Sequence, residues 1–296
     1  MSITYRKGTL EDSRAVFDVF TETIMDLSER MNVMAITNGR DPQVIASLWQ
    51  KRKPMFDFLA QSAAQFWLAE EAGRVIAYAR SIEHDGVMDL TEFFVSPKNQ
   101  SAGVGRELLA RAFQSRTAQY KVIIATTDER ALSRYLKAGV YARFPVKYFS
   151  RTPERLELKT DLVFEPILTE HHMTELNRID RAVIGHVRPG IHRWVATDRE
   201  GFLHRRKGEV VGYGYAGGPY ALLHDSDFPA VLAHAETRAA EQEKHFGAEV
   251  PLINRKAIQY LLERKCEIDS FTTLFMSNEP FGKFENYLCF SPIFFM

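Results

Sequence analysis

The chain is 296 residues long, 45% of it apolar, and its 38 Lys and Arg balance its 38 Asp and Glu. That length suits two domains of about 100–200 residues each, and a chain with no basic excess is not built to neutralise a nucleic-acid backbone. Only Cys266 and Cys289 are present, which excludes a disulfide framework and a cysteine-rich zinc site and makes a reducing cytoplasm the simplest setting.

The N-terminus carries no apolar core of the signal-peptide type, and no apolar run approaches the ~20 residues that span a bilayer, so no membrane partner is expected. Ile3–Arg6 alternates as a strand does. Thr9-Leu10-Glu11-Asp12 reads as a helix start, with Val16, Phe17, Val19 and Phe20 as the apolar face. A second helix is expected from Asp41-Pro42, where proline suits the first helical position, and Ile45, Leu48 and Trp49 continue it. Phe66–Glu70 and Val75–Arg80 flank Glu71-Ala72-Gly73-Arg74 as a strand, turn and strand. Met88–Val95 is a further strand. Beyond it a glycine-containing loop leads into the amphipathic run Leu108, Leu109, Ala112, Phe113. Lys121–Thr126 has the pattern of a buried strand. The following helix runs through Tyr135 and stops at Gly139, and two short strands are expected around Val140–Phe144 and Val146–Phe149.

The loop between Val95 and Leu108 carries the most information. It reads Gln100-x-x-Gly103-x-Gly105 between a strand and a helix. A helix start offers unpaired N–H groups and the positive end of a dipole, which suits a phosphate or pyrophosphate. Glycine lets the backbone approach the anion where a Cβ would collide. Neither of two familiar glycine loops fits. No Lys-Ser/Thr follows Gly105, as a P-loop requires, and a dinucleotide fingerprint would place glycine at 108, which is Leu.

The loop resembles the Gln/Arg-x-x-Gly-x-Gly/Ala signature of the GNAT superfamily of N-acetyltransferases, in which it binds the pyrophosphate of acetyl-coenzyme A. The element order from about residue 3 to 150 resembles the same fold. The resemblance implies an α/β (α+β) domain with a mixed, mostly antiparallel sheet whose fourth and fifth strands splay to admit the coenzyme. Phe94, Val95, Gln100, Ser101, Ala102, Gly103, Val104, Gly105 and Arg106 are the implied coenzyme contacts, and a backbone N–H of Phe94 or Val95 is the implied oxyanion donor.

The pattern recurs after the polar segment 151–163, which reads as a linker. Gly73, Val75 and Tyr78 reappear as Gly208, Val210 and Tyr213. A strand at Tyr220–Leu223, a helix over Phe228–Glu241, a strand at Val250–Asn254 and a helix over Lys256–Lys265 follow in the order of the first half. The chain thus resembles a tandem-GNAT protein, with a first domain over 1–150 and a second over 164–296. The second copy has His224-Asp225-Ser226-Asp227-Phe228-Pro229 where the glycine loop should stand, and its carboxylates would repel a pyrophosphate. It is expected not to bind coenzyme A in the usual way, and to serve instead in packing, in shaping the acceptor site or in building a homo-oligomer.

Acetyl transfer to an amine needs a proton acceptor, a stabilised thioester oxygen and a thiolate that can leave. A lysine-like amine of pKa ~10.4 costs about 4.6 kcal/mol to neutralise at pH 7. Glu92 and Asp89 lie on the strand beside the expected site. Strict alternation puts them on opposite faces unless a bulge intervenes, and Glu92 is preferred as the base. Asp128-x-x-Ala131-x-x-x-Tyr135-x-Lys137-x-Gly139 resembles the family run in which the tyrosine faces the sulfur. Tyr135 is therefore the implied donor to the leaving thiolate, although full proton transfer from a phenol of pKa ~10 to a thiolate of ~8.5 is uphill by about 2 kcal/mol. The second copy has Leu261 at that place.

His171-His172, His186 and His192 lack ligand spacing, so no metal is expected. Phe17, Phe56, Phe58 and Trp67 either line an acceptor pocket or, as aromatics more often do, build the core. Lys51-Arg52-Lys53 reads as a solvated helix end or, under the resemblance, as a contact to the coenzyme's 3′-phosphate. The function expected is acetyl-coenzyme A-dependent N-acetylation of a small-molecule or peptide amine; the alternative is a non-catalytic acyl-coenzyme A sensor or assembly module.

Overall fold

A computed structural model describes residues 2–31, 41–100 and 103–291. The chain forms two compact units, 1–141 and 142–294. The first unit runs β1 (Ile3–Lys7), α1 (Ser13–Met31), α2 (Pro42–Ser62), β2 (Gln65–Glu71), β3 (Arg74–His84), β4 (Val87–Val95), α3 (Val104–Ala112), β5 (Tyr120–Thr126) and α4 (Glu129–Lys137). Its strands lie in the order β1-β2-β3-β4-β5.

Local chemistry accounts for the element boundaries. The Asp12 carboxylate accepts from the Thr9 N–H at 2.8 Å where the first helix begins, and Asp41 caps α2 by accepting from the Gln43 N–H at 2.8 Å. Ala72 and Gly73, at φ +51° and +76°, turn the β2–β3 hairpin. Val16, Phe17, Val19 and Phe20 are buried. Phe17 and Phe20 meet Phe56 edge-on, at 5.5 and 5.7 Å between ring centroids. Phe17 and Phe56 are therefore core residues beneath α1 and α2. Phe58 and Trp67 are partly buried. The sequence 51–53 lies in the middle of α2 rather than at a helix end. Lys53 pairs with Asp57 one turn on, and Arg52 lies over the Phe20 ring.

β3 and β4 pair antiparallel with one interruption. Arg80 faces Glu92 and Ser81 faces Leu90, so Thr91 is the extra residue of a bulge. The bulge restores Glu92 to the face that carries Asp89, because both now stand opposite residues of one β3 face, Arg80 and Ile82. β4 and β5 pair in parallel only from Val87↔Tyr120 to Leu90↔Ile123, although β4 continues to Val95 and β5 to Thr126.

The second unit comprises β6 (Tyr141–Arg151), β7 (Val163–Pro166), α5 (Met173–Val183), α6 (Pro189–Val195), β8 (Gly201–Arg206), β9 (Glu209–Tyr215), β10 (Tyr220–Leu222), α7 (Phe228–Glu241), β11 (Phe246–Pro251), α8 (Arg255–Glu263), β12 (Glu267–Ser277) and β13 (Tyr287–Leu288). One sheet runs β13-β10-β9-β8-β7, and elsewhere in the unit β6 lies between β12 and β11. The two short strands expected near 140–149 are one strand, β6. Pro145 lies within it, without an N–H to donate, and its carbonyl accepts from the Leu252 N–H at 2.9 Å. β6 pairs with β11 from Val146 to Arg151, which draws residues 142–151 into the second unit rather than the first. β11 itself begins at Phe246, earlier than the expected Val250, and Leu252 and Ile253 are exposed beyond its end.

The internal repeat is also geometric. Lys207 and Gly208, at φ +50° and +86°, turn the β8–β9 hairpin as Ala72 and Gly73 do the first. Each hairpin is bulged three residues past its glycine, at Ile76 and at Val211.

Candidate active site

In the first unit the backbone leaves a gap between the diverging ends of β4 and β5, with the start of α3 beside it. Gly103 is the N-cap of α3 and is left-handed, at φ +85°, with open space where a Cβ would stand. The Arg106 and Glu107 N–H groups are the first to bond back, both to the Gly103 carbonyl. Those of Val104 and Gly105 precede them and have no acceptor within the helix. The missing side chain at Gly105 also serves packing. A Cβ there would lie 3.1 Å from Phe93 Cζ and 3.3 Å from Arg134 Nε.

The Val95 carbonyl accepts from Gln100 Nε2 at 3.2 Å; the Thr23 hydroxyl lies 3.4 Å from it but donates to the nearer Val19 carbonyl at 2.8 Å. Gln100 Oε1 accepts from Arg130 Nη1 at 2.7 Å. Gln100 thereby ties the end of β4 to α4. Arg130 and Arg134 bring two guanidinium groups against the loop and the α3 start. Sequence reasoning missed both, since nothing in α4 marks them and only the fold returns them to the loop. Ser101 and Ala102 lie outside the described residues. Phe94 is on β4 between Phe20, 5.2 Å away edge-on, and Tyr78, stacked at 5.6 Å. Arg106 is in the first turn of α3 and exposed.

Tyr135 projects from α4. It is buried, 6% exposed, and meets the Phe93 ring at 6.1 Å. Its hydroxyl makes no hydrogen bond to any described residue. Burial, reinforced by Asp128, pushes the phenol well above its ordinary range. Asp128 caps α4 by accepting from the Arg130 and Ala131 N–H groups at 3.0 and 3.1 Å. Asn254 caps α8 in the same way, accepting from the Ala257 N–H at 3.1 Å. Leu261, which takes the place of Tyr135, is fully buried in the core of the second unit.

Glu92 is in a different situation. It is 2% exposed. Tyr78 donates to Oε1 at 2.9 Å, and the Arg80 guanidinium holds Oε2 through Nε and Nη2. Arg80 Nη1 donates in turn to the Phe56 carbonyl of α2 at 2.9 Å. Burial raises the Glu92 carboxyl above its ordinary value, and Arg80 and Tyr78 oppose that rise. Asp89 is also buried. Tyr78 and Arg80 were not identified from the sequence as partners of Glu92. The available signal was the recurrence of Tyr78 as Tyr213, which likewise donates to a buried carboxylate, Asp180, itself paired with Arg188.

At the corresponding helix start of the second unit, Asp227 is buried and not open to an incoming anion. Arg206 clamps it, Nη2 donating to Oδ1 at 2.8 Å, and also clamps Asp161. Of the two carboxylates expected to repel a pyrophosphate, Asp227 is thus paired and Asp225 is exposed. The histidines serve other purposes. His192 is buried between Asp180 and Tyr215, and His172 Nδ1 accepts from the Leu168 N–H. Among the described residues no three His, Cys, Asp or Glu side chains gather as metal ligands, and no helix is long and apolar enough to cross a membrane.

Residues 62–142 match the family model of the acetyltransferase (GNAT) domain. No curated protein matches the sequence. Among solved structures, a candidate acetyltransferase of Pyrococcus horikoshii is 14% identical with a TM-score of 0.70, the match covering 96% of this chain and 92% of that one. A tandem GNAT protein from the clavulanic acid biosynthesis pathway is 9% identical, TM-score 0.61, over 94% and 99%. A GCN5-related N-acetyltransferase from Sphaerobacter thermophilus is 11% identical, TM-score 0.60, over 94% and 96%. At these identities the structures speak for the fold, which extends over both halves, while the family model speaks for residues 62–142. Residues 62–142 therefore form a GNAT acetyltransferase domain, and the chain as a whole has the fold of two GNAT domains in tandem.

Proposed function

We propose that the first unit is an acetyl-coenzyme A-dependent N-acetyltransferase acting on a primary amine of a small molecule or peptide, and that the second unit carries no transfer chemistry. The observation that carries this reading is the gap where β4 and β5 part. The start of α3 stands beside it, with the Val104 and Gly105 N–H groups unpaired among the described residues, and Tyr135 of α4 packs on Phe93 of β4 with its hydroxyl unbonded among those residues. Glycine at 103, free N–H donors and two nearby guanidinium groups are a donor set that fits a pyrophosphate. Acetyl-coenzyme A supplies the activated acyl group. The amine nitrogen attacks the carbonyl carbon, the C–N bond forms, the C–S bond breaks, and the electron pair leaves with sulfur. The proton lost from nitrogen equals the one gained by the thiol.

Tyr135 serves the leaving group as a hydrogen-bond donor rather than a full acid. Its phenol, raised by burial, is a still weaker acid than the ordinary tyrosine, for which transfer to a thiolate is already uphill by about 2 kcal/mol. Glu92 is the proposed proton acceptor on the acceptor-side wall. The occupation of both its oxygens by Tyr78 and Arg80 favours a second role, as the anchor that fixes β4 to α2 through the Phe56 carbonyl while bulk water takes the proton. The test is thiol release from acetyl-coenzyme A across a panel of amines. Release that depends on an amine supports the enzyme. A coenzyme A-dependent thermal shift without release with any amine supports a binding module instead, and neither signal overturns both.

A further inference from the structure

The two units treat the same place in the fold in opposite ways. In the first, β4 and β5 stop pairing after Leu90 and Ile123. In the second, the counterparts by order are β10 and β11, and the chain's own C-terminal segment lies between them. β13 pairs antiparallel with β10, Tyr220 opposite Leu288 and Ala221 opposite Tyr287. On its other side Cys289 forms a bridge to Glu249 of β11, donating its N–H to the Glu249 carbonyl at 2.8 Å. Both strand edges that an extended ligand would hydrogen-bond are thus already satisfied by main chain, the mode by which a peptide adds to a sheet.

We infer that segment 284–291 closes the second GNAT slot to coenzyme, so that a chain takes up coenzyme A in its first unit alone. This rests on the acetyltransferase reading only for the first-unit site; the closure is independent of it. The segment is held at several points. Asn286 Nδ2 donates to the Leu222 carbonyl at 2.8 Å, Asn254 Nδ2 to the Tyr287 carbonyl at 3.2 Å, and the Ser291 N–H to the Gly217 carbonyl at 2.9 Å. Tyr287, Leu288, Cys289 and Phe290 are each at most 1% exposed. The Tyr287 hydroxyl accepts from Arg188 Nη1 at 2.9 Å, and Arg188 is fully buried against Asp180. Opening the slot would therefore expose four large or medium apolar side chains and strip a partner from a buried guanidinium.

Native mass spectrometry of the full chain with saturating coenzyme A tests the inference. One coenzyme per chain is expected in the wild type and none in Gly103→Trp, with circular dichroism confirming that the variant folds. Two per chain, or one retained by Gly103→Trp, overturns the closure. No binding by the wild type leaves the closure standing and sinks the proposed function. Amide hydrogen exchange gives a readout that needs no variant. The Cys289 and Ser291 N–H groups should exchange slowly and at rates unchanged by coenzyme A, whereas faster exchange on its addition would mean the segment is displaced and the inference is wrong.

Discussion

Replacing Glu92 by Gln leaves the Arg80 guanidinium buried without its counter-charge, since both side chains of the pair are 0% exposed. Removing one member of such a pair costs about 3–5 kcal/mol, whereas replacing both with apolar groups is often neutral. Glu92→Gln should therefore lower the urea unfolding free energy by roughly 3 kcal/mol or more, and Arg80→Met combined with Glu92→Met should recover most of that loss. Stability intact in Glu92→Gln would mean the pair is not the anchor described. Tyr135→Phe should behave in the opposite way. Its hydroxyl has no partner among the described residues, so the melting temperature should hardly move, while amine-dependent thiol release falls by roughly 10²-fold. Unchanged turnover in Tyr135→Phe would remove this side chain from the mechanism.

At the level of elements, Gly103 and Gly73 allow a controlled comparison. Both are left-handed, at φ +85° and +76°, and neither has an atom within 4 Å of the Cβ position. Valine at either place therefore meets backbone strain and no clash, a cost of roughly 1–3 kcal/mol. Only Gly103 stands at the helix start proposed to hold the pyrophosphate. Gly103→Val should lose both stability and the coenzyme A-dependent thermal shift; Gly73→Val should lose stability alone. The same elements show what the sequence made legible. The hairpins were readable because Gly73 and Gly208 mark turns that most side chains cannot make. The helix starts at Asp41 and Asp128 were readable because capping is chemistry between near neighbours, whereas Asn254, read as the end of a strand, proved to be the cap of α8. The Thr91 bulge was not, because one extra residue in a strand leaves no mark in an apolar run, and it decides which face Glu92 occupies. Arg130 beside Gln100 and Tyr287 beside Arg188 were hidden for another reason. Their partners lie 30 and 99 residues away, and only the completed fold sets that proximity. β13 is two residues long and carries no periodicity to read.

Across the whole molecule, 38 acidic and 38 basic side chains cancel, so mild acid does not act first through global self-repulsion. Its effect is local, at groups whose protonation differs between folded and unfolded chain. His204 is such a group. It is 2% exposed on β8, its Nδ1 has no hydrogen-bond partner among the described residues, and Phe164 meets its ring at 5.4 Å. Burial, with a smaller contribution from His234, pushes its imidazole down to about 3. Above the unfolded value of ~6.5 both states are neutral and nothing is lost. As the pH falls from ~6.5 toward 3, the unfolded chain binds a proton that the folded one refuses, and stability drops by about 1.4 kcal/mol per pH unit, or roughly 2 kcal/mol by pH 5. Glu249 runs the other way. Burial raises it to about 7, so the folded state holds its proton through the same interval and gains stability as the pH falls. The wild-type curve alone therefore mixes two opposed slopes, and a comparison with His204→Phe separates them. Between pH 7.5 and pH 5, the urea unfolding free energy of His204→Phe should change by about 2 kcal/mol less in the destabilising direction than that of the wild type. Parallel curves for the two proteins would show that the acid response does not originate at this buried imidazole.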